Sequence, residues 1–359
     1  MLIKRLLVSN FRNLSYVDFS PAATFNIIYG KNGSGKTSIL ESISYLSLSR
    51  SFKKVPYQYL IQSGSKSFNI YAEIVPDNSD FPLKLGVSKD RGADTKILID
   101  SKPVTRLTDL VDNISVQIIH PQSYELVTEG PELRRNYIDW GVYYHDQKFK
   151  SQWLDYRRIL KQRNALLKSN ASYNEIQVWD NLLVNLSDSI NQKRSDYLKL
   201  LEPLLIQILS EFLPKYSFKF YMTKGYDDGT DLYSLLAQNI EKDRVLGYTF
   251  YGCHRADLKI KSNSVAAGVT LSRGQLKLLV CAMRLAQGIL LKQLSGINCI
   301  YLIDDLNSEL DSNSQNILLS HLLKCRNQVF VTNITNDIVL PKSNDFNYFE
   351  LTDGNIKNY

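Results

Sequence analysis

FNIIYGKNGSGKTSIL, residues 25–40, is the stretch that decides the fold of this chain. Its apolar start, from Phe25 to Ile28, predicts a buried strand that breaks at Gly30. The pattern G-x-x-x-x-G-K-T follows, and apolar residues then recur at helical spacing from Ile39 onward. Strand, glycine-rich loop and helix in this order predict a phosphate-binding loop. The alternative, an ordinary glycine-rich turn, is disfavoured because later stretches complete the same site.

The chemistry of the loop explains its residue types. Glycine allows tight backbone turns that point N–H groups at phosphate oxygens, and the following helix adds its positive end. We expect Lys36 to reach the β- and γ-phosphates of a nucleotide and the Thr37 hydroxyl to ligate Mg²⁺. The predicted nucleotide-binding residues of this loop are Gly30, Lys31, Asn32, Gly33, Ser34, Gly35, Lys36 and Thr37.

A second stretch, CIYLIDD at residues 299–305, predicts a buried strand that carries carboxylates to its C-terminal end. Ligands bind at that edge in open α/β sheets. We expect Asp304 to hold Mg²⁺, directly or through water, and Asp305 to position or deprotonate the attacking water. The candidate catalytic residues are therefore Lys36, Asp304 and Asp305, and the candidate metal ligands are Thr37 and Asp304.

A third stretch, LSRGQL at residues 271–276, opens a long apolar helix. Ser272 is a natural N-cap. Gly274 and Gln275 leave the first helical turn open to an anion. Such a pattern alone is typical of any helix start, but its place shortly before the acidic strand makes it more specific.

Composition sets the broad class of the protein. The chain has 359 residues, is 44% apolar and carries a net charge of +7, which favours acidic partners such as nucleic acid. Its four cysteines are far apart, and no signal peptide or run of about 18 apolar residues is evident. We therefore expect a reduced, cytoplasmic protein without a membrane span.

The predicted secondary structure divides the chain into three segments. Residues 1–122 alternate strands with turns, and 68–100 predict an antiparallel meander. Residues 123–246 are dominated by long helical stretches, predicted at 132–168 and 174–212, and read as an inserted helical lobe. Residues 247–359 return to an α/β texture, including a strand predicted at 248–252. We expect the first and last segments to form one ATPase lobe.

The phosphate loop, the LSGGQ-like signature and the acidic strand together resemble the ABC-type ATPases. Their order around a helical insert is similar to the SMC-related branch of that family. NFRN at residues 10–13, EGPELRRNYIDW at 129–140 and HRADL at 254–258 resemble the recombination mediators of that branch. The resemblance implies an α/β fold: an ABC-type P-loop ATPase head with an antiparallel meander and an inserted helical lobe.

The resemblance also implies roles for residues outside the phosphate loop. Ser272, Gly274 and Gln275 would contact the γ-phosphate of an ATP held by a second subunit, so that two chains sandwich two ATP molecules. Arg12 matches an arginine that lies near the nucleotide in SMC-like ATPases. Residues 308–311 match the D-loop that crosses such a dimer.

Two features of the family pattern stay open or depart from it. The Q-loop glutamine is either Gln117 or Gln122. Asp305 stands where ABC enzymes commonly have a glutamate, and residues 330–333 contain no switch histidine. Both departures fit slow ATP hydrolysis used as a timer.

A basic stripe is predicted on the helix that covers residues 148–168, with Trp153 and Tyr156 nearby. Basic side chains interleaved with aromatic ones suit a nucleic-acid backbone, although a solvated helix face explains them equally well. Arg134 and Arg135 are ambiguous between DNA binding and pairing with acids between the lobes. The candidate DNA-binding residues of the stripe are Lys150, Arg157, Lys161 and Lys168.

The function implied by the resemblance is ATP-dependent DNA binding in recombinational repair. ATP and Mg²⁺ are the expected cofactors. An ATP-dependent homodimer, single-stranded, gapped and duplex DNA, and RecO- and RecR-type mediator proteins are the expected partners. Two alternatives are the nucleotide-binding subunit of a membrane transporter and an ATP-switched protein-interaction module.

Overall fold

The strand that leads into the phosphate loop lies in one of two compact units. The structure is a computed structural model and describes residues 1–77, 79, 81–104, 110, 112–335 and 346–358. The first unit comprises residues 1–123 and 277–359, and the second comprises residues 124–276.

The described strands and helices follow the chain in this order. The strands are β1 (Leu2–Phe11), β2 (Leu14–Phe19), β3 (Phe25–Tyr29), β4 (Ser67–Val75), β5 (Leu83–Asp90), β6 (Thr95–Ile99), β7 (Lys102–Val104), β8 (Val116–Ile119), β9 (Phe218–Thr223), β10 (Asp257–Ser262), β11 (Val265–Ala266), β12 (Ile300–Ile303), β13 (Val329–Asn333), β14 (Phe346–Thr352) and β15 (Asn355–Asn358). The helices are α1 (Lys36–Leu48), α2 (Glu125–Thr128), α3 (Pro131–His145), α4 (Gln147–Lys168), α5 (Tyr173–Phe212), α6 (Leu232–Gln238), α7 (Ile240–Leu246), α8 (Ala267–Thr270), α9 (Arg273–Ser295), α10 (Leu306–Glu309) and α11 (Ser312–Cys325).

The first unit contains a largely parallel sheet in the order β15–β14–β3–β13–β12–β8. Strands β3, β8, β12, β13 and β14 run parallel to their neighbours, and β15 returns antiparallel to β14. All residues of β12 and β13 are buried, as expected for strands covered on both faces. The carboxyl ends of β3, β12 and β13 therefore meet at one edge.

The second sheet of this unit is antiparallel, in the order β2–β1–β4–β5–β6–β7, and contains the predicted meander. Helix α1 packs against β1 and β5 of this sheet and against β8, β12 and β13 of the parallel one. Phe68 of β4 contacts Phe11 of β1 and Tyr45 of α1 edge to face, with ring centroids 5.0 and 5.1 Å apart. Because the helix is buried between two sheets, the phosphate loop starts from a rigid base.

The second unit is mostly helical and is built on the antiparallel pair α4 and α5. Its small sheet has the order β11–β10–β9. Helix α5 begins with a capping box in which Ser172 and Glu175 satisfy each other's backbone N–H groups.

Three details differ from the sequence prediction. The helix predicted over 132–168 is broken at Asp146, whose side chain caps α4 by accepting from the Lys148 N–H. Residues 248–252 form no strand, because side chains rather than a neighbouring strand satisfy their backbone. Residues 247–276, assigned by sequence to the ATPase lobe, group with the second unit because β10 pairs along its length with β9.

One described helix, Arg273–Ser295, is long and apolar enough by composition to cross a membrane. Of its most apolar 18-residue window, 67% is buried inside the protein. That burial is typical of a core helix.

Candidate nucleotide-binding site

The phosphate loop occupies the edge where the parallel strands end. Strand β3 ends at Tyr29, the loop follows, and α1 begins at Lys36. Two positions require glycine. Gly30 has φ 152°, and a Cβ there would lie 2.3 Å from the Leu351 carbonyl oxygen. Gly35 has φ 110°, and a Cβ there would lie 2.7 Å from a methyl carbon of Leu14.

Neighbouring segments hold the loop in place. The Asn13 side chain donates to the Gly33 carbonyl at 2.8 Å and accepts from the Ser38 hydroxyl at 2.8 Å. The Gly354 N–H donates to the Ser34 carbonyl at 3.1 Å. Asn13 belongs to the NFRN motif, but the sequence did not indicate that this side chain ties the loop to its helix.

Lys36 already points into the loop. Its ammonium donates to the carbonyl oxygens of Gly30 at 2.6 Å and Lys31 at 2.9 Å. Burial lowers the pKa of Lys36 below its usual value, and the Asp305 and Asp304 carboxylates oppose that shift. The cation therefore lies between the loop and the acidic end of β12.

The predicted metal ligands are in direct contact. The Thr37 hydroxyl lies 2.8 and 3.0 Å from the two carboxylate oxygens of Asp304. The Thr332 hydroxyl, at the end of β13, donates to Asp304 at 2.8 Å and accepts from the Asp305 N–H at 2.8 Å. Sequence reasoning missed Thr332, although its place at the end of a strand in the same parallel sheet was the available clue.

The residues of this site fit a magnesium-bound nucleoside triphosphate. Helix α1 has Gly35 as its N-cap and no side chain bound there, so its first N–H groups are free to meet an anion. Among the described residues, and apart from its two chain neighbours, no atom lies within 4 Å of a Cβ built at Gly33, so the loop is open there. A hydroxyl and a carboxylate are oxygen donors of the kind that Mg²⁺ prefers.

Arg12 lies beside the helix of the phosphate loop. Its guanidinium donates twice to the buried Glu41 carboxylate of α1, once at 2.8 Å, and the Ser51 hydroxyl donates to the same carboxylate. The structure thus places Arg12 in an ion pair with this helix, and its role near the nucleotide stays a prediction.

The two candidate Q-loop glutamines lie in different environments. Gln117 is fully buried within β8 and contacts Arg284 at 3.1 Å and Gln287 at 3.3 Å. Gln122 is exposed and follows the end of β8, where its backbone N–H donates to His120 Nδ1 at 3.2 Å. Because β8 runs parallel to β12, Gln122 follows the strand at the edge that carries Asp304. Gln122 is thus the candidate that lies at this edge, and the Q-loop assignment stays a prediction.

The signature belongs to the second unit. Ser272 and Gln275 form a capping box, with distances of 2.9 and 3.3 Å, and the Gln275 amide also donates to the Tyr216 hydroxyl at 2.7 Å. Ser272, Arg273 and Gly274 are exposed. The turn is thus a rigid, exposed helix start, and Gln275 is engaged within the unit.

The D-loop prediction falls partly outside the described residues, since the side chains at 308 and 309 are not described. Asp311 caps α11 by accepting from the Ser314 N–H at 3.0 Å.

The basic stripe is only partly as predicted. Arg157, Lys161 and Lys168 are exposed on α4, and Lys150 is half-buried with its ammonium 5.6 Å from the centre of the Tyr143 ring. Arg163, another basic residue of this helix, is fully buried.

The aromatic residues near the stripe are not free for a ligand. Trp153 stacks on the buried Tyr156 with ring centroids 5.8 Å apart, and the Arg194 guanidinium lies 5.4 Å from the centre of the Trp153 ring. Tyr156 is a core residue, and Trp153 is half-buried against it. The basic stripe therefore carries charge without a stacking surface of its own.

Arg134 and Arg135 are bound within the second unit. Arg134 forms a two-fold ion pair with Asp257 at 2.7 and 3.1 Å, and Arg135 donates to the Ala256 carbonyl at 2.7 Å. They attach α3 to the start of β10.

The phosphate loop follows the parallel strand β3, and its Thr37 contacts Asp304, which follows the parallel strand β12. This arrangement defines a P-loop nucleotide-binding head. The RecF/RecN/SMC N-terminal domain family model matches residues 2–355. The chain belongs to this family and, within it, to the RecF proteins.

Relatives and solved structures agree with that assignment. The DNA replication and repair proteins RecF of Shewanella sp. strain MR-4 and Shewanella frigidimarina are 42% and 41% identical over 334 residues, covering 93% of this chain and 92% of each relative. A RecF–ATP structure, titled as a recombination mediator in the RecFOR pathway, matches 99% of this chain and 97% of its own, with a TM-score of 0.88 at 24% identity. An Smc head domain from Pyrococcus furiosus matches 99% and 95%, with a TM-score of 0.59 at 15% identity. Both structures have the fold of this chain.

Proposed function

We propose that this protein is an ATP-dependent DNA-binding protein of recombinational repair and replication restart. Two copies close around two ATP molecules, bind single-stranded, gapped and duplex DNA, and help to load a recombinase at gaps. Activity of this kind supports the SOS response to DNA damage. The relatives named DNA replication and repair protein RecF support this biological role.

The observation that carries the ATP-dependent part is the contact between Thr37 and Asp304. It joins the phosphate loop to the end of β12 through two oxygen donors that suit Mg²⁺. The metal would supply charge neutralisation at the β- and γ-phosphate oxygens. Lys36 would add a cation to the same phosphates once it leaves the loop carbonyl oxygens.

Hydrolysis in this site would be slow. Asp305 has φ 58°, so its carboxylate is presented from a left-handed turn whose N–H is bound by Thr332. An aspartate is one methylene shorter than the glutamate common in ABC enzymes, which places the base further from the attacking water. We infer that ATP serves as a timer: binding closes the dimer and weak hydrolysis reopens it.

Partners follow from the same proposal. The exposed Ser272–Gly274 turn would complete the ATP site of a second copy, which makes the dimer nucleotide-dependent. The solved RecF–ATP structure is described within the RecFOR pathway. RecO- and RecR-type proteins are therefore the proposed partners, and the cytoplasm is the proposed location.

The exposed residues Arg157 and Lys161, with Lys168 and Lys150, are the proposed contacts to the DNA backbone. Reversing the charge of Arg157 and Lys161 to glutamate tests them, because phosphate contacts contribute directly to affinity. We expect ATP-dependent retention on gapped DNA to fall at least tenfold, while ATP affinity stays unchanged. Unchanged retention in the double variant would remove the stripe from the DNA-binding surface.

A further inference from the structure

Three aromatic rings and two cations form a surface cluster in the second unit. We call Lys242, Tyr248, Phe250, Tyr251 and Arg255 the cation–aromatic cluster. The Lys242 ammonium lies 3.8 Å from the centre of the Phe250 ring and 5.4 Å from that of Tyr251. The Arg255 guanidinium lies 5.2 Å from the centre of the Tyr248 ring. Both cations are exposed, Tyr248 is 37% exposed, and the other two rings are half-buried.

Buried side chains bind the backbone of the segment that carries these rings. Thr249, between two of the rings, is 1% exposed. Its N–H donates to the Asn164 side chain at 2.8 Å, and the Phe250 N–H donates to the Asp243 carboxylate at 3.0 Å. Side chains thus take the place of a neighbouring strand, which leaves one face of the segment at the surface.

A buried ion-pair network fixes Asp243 and Thr249 beneath the rings. Arg163 donates to Asp243 and to Asp180, each at 2.6 Å, and to the Thr249 hydroxyl at 2.8 Å. Burying three charged groups requires close pairing. The network keeps the cluster in one arrangement, and a preorganised surface loses less entropy when it binds a ligand.

We propose that the cation–aromatic cluster is a contact site for single-stranded DNA. Tyr248 stacks on an unpaired base, and Lys242 and Arg255 neutralise neighbouring phosphates. Basic side chains beside exposed rings are the pattern by which proteins hold single strands without reading sequence. A duplex does not offer its bases for such stacking. The proposal rests on the proposed function and assigns one site to it.

The basic stripe on α4 leads to this cluster. A Cβ built at Gly247 would lie 3.4 Å from Cε of Lys168, so the stem of that lysine runs beside the residue preceding Tyr248. Neighbouring carboxylates do not oppose an anion strongly, because Asp243 is buried in its ion pair and Glu241 pairs with Arg244 at 3.4 Å. A strand that follows the stripe would therefore reach the rings.

Affinity for a fluorescent oligothymidine, measured by anisotropy with ATP over a salt series, tests the proposal. Tyr248→Ala should weaken binding about five- to a hundredfold, the range for loss of one stacked base. Tyr248→Phe should bind the oligothymidine as well as the wild-type protein does. In Tyr248→Ala, the affinity for duplex DNA should change less than twofold. The double variant Lys242→Ala/Arg255→Ala should lower the slope of log affinity against log salt by about 1.4.

Lys199→Ala is the matched control, since Lys199 is an exposed lysine of the same unit that pairs with Asp196. It should leave both affinity and slope unchanged. Thermal unfolding confirms that each variant is folded. If the wild-type protein binds the oligonucleotide while Tyr248→Ala and the double variant bind as well as it does, the cluster proposal is overturned and the proposed function stands. If the wild-type protein binds no DNA of any kind, the proposed function itself is overturned.

Discussion

Thr332 and Asp304 are joined by a 2.8 Å hydrogen bond from hydroxyl to carboxylate. The same hydroxyl accepts from the backbone N–H of Asp305 at 2.8 Å. One threonine therefore sets the direction of the proposed magnesium ligand and the position of the proposed catalytic carboxylate. Residues 330–333 contain no histidine, and Thr332 is the side chain by which β13 enters the site.

Replacing Thr332 tests this arrangement. Thr332→Val removes the hydroxyl and leaves the Asp305 N–H without its partner, at a cost of about 1–3 kcal/mol in the free energy of unfolding. We also expect Mg²⁺-dependent ATP binding to weaken, because Asp304 loses its orientation. Thr332→Ser should restore both properties, as measured by calorimetry and denaturant unfolding. Valine behaving like serine would show that the hydroxyl has no part in the site.

Lys36→Ala should weaken ATP binding strongly. The variant loses the lysine whose ammonium lies in the loop near the Asp304 and Asp305 carboxylates that follow β12. A charge-assisted hydrogen bond contributes about 1.5–3 kcal/mol, so affinity should fall at least tenfold. Lys66→Ala is the matched control, since Lys66 is an exposed lysine of the same unit that lies outside the loop, and it should bind ATP like the wild-type protein. Wild-type ATP affinity in Lys36→Ala, measured by calorimetry, would refute the phosphate-loop assignment.

Stability should fall as the pH drops from about 6.5 to about 4, partly because of His254. Burial lowers the pKa of His254 to about 4, against an ordinary value near 6.5. The imidazole lies between the Tyr156 hydroxyl at 2.6 Å and the Thr249 carbonyl at 3.0 Å. In this pH window the unfolded chain binds a proton that the folded chain does not, so folding loses up to about 3 kcal/mol.

Denaturant unfolding at pH 7 and pH 4.5 measures that loss. His254→Gln, whose amide retains a donor and an acceptor, should show a smaller difference between the two pH values than the wild-type protein. If the wild-type protein and His254→Gln lose equal stability between the two pH values, the pKa of His254 is not lowered by folding.

Arg163→Leu should destabilise the second unit strongly. The substitution leaves Asp180 and Asp243 buried without their cation, which costs about 3–5 kcal/mol. Arg158→Leu on the same helix is the control, because Arg158 is exposed and pairs with Asp155 one turn away, where such a pair contributes about 0.5 kcal/mol. Similar unfolding midpoints for both variants would contradict a structural role for the buried network.

The arrangement of the candidate nucleotide site was largely predictable because its residues are consecutive or follow neighbouring strands. Lys36 and Thr37 follow from a local motif, and Asp304 follows from an apolar run that ends in acid. Thr332 was missed, since its place at the end of an apolar run becomes informative only when the order of the parallel strands is known.

The helical unit shows where local reasoning fails. Arg163 shares the helical spacing of the buried residues Tyr156, Ile159 and Leu167, but an arginine in that pattern does not show which acids neutralise it. Only the folded structure reveals that it pairs with Asp180 and Asp243. Residues 248–252 have the aromatic and β-branched composition of a strand, but their backbone N–H groups are bound by side chains: Asn164, 85 residues from Thr249, and Asp243, 7 residues from Phe250. Burial and long-range pairing decided both cases.

In the proposed mechanism, ATP binding joins two copies of this chain through the Ser272–Gly274 turn. Light scattering of the purified protein with ATP, with ADP and without nucleotide tests it most directly, with Ser272→Arg measured alongside. We expect the wild-type protein to be dimeric with ATP alone, and Ser272→Arg to bind ATP with unchanged affinity yet remain monomeric. An ATP-induced dimer of Ser272→Arg, or a wild-type mass that ATP does not change, would contradict the account.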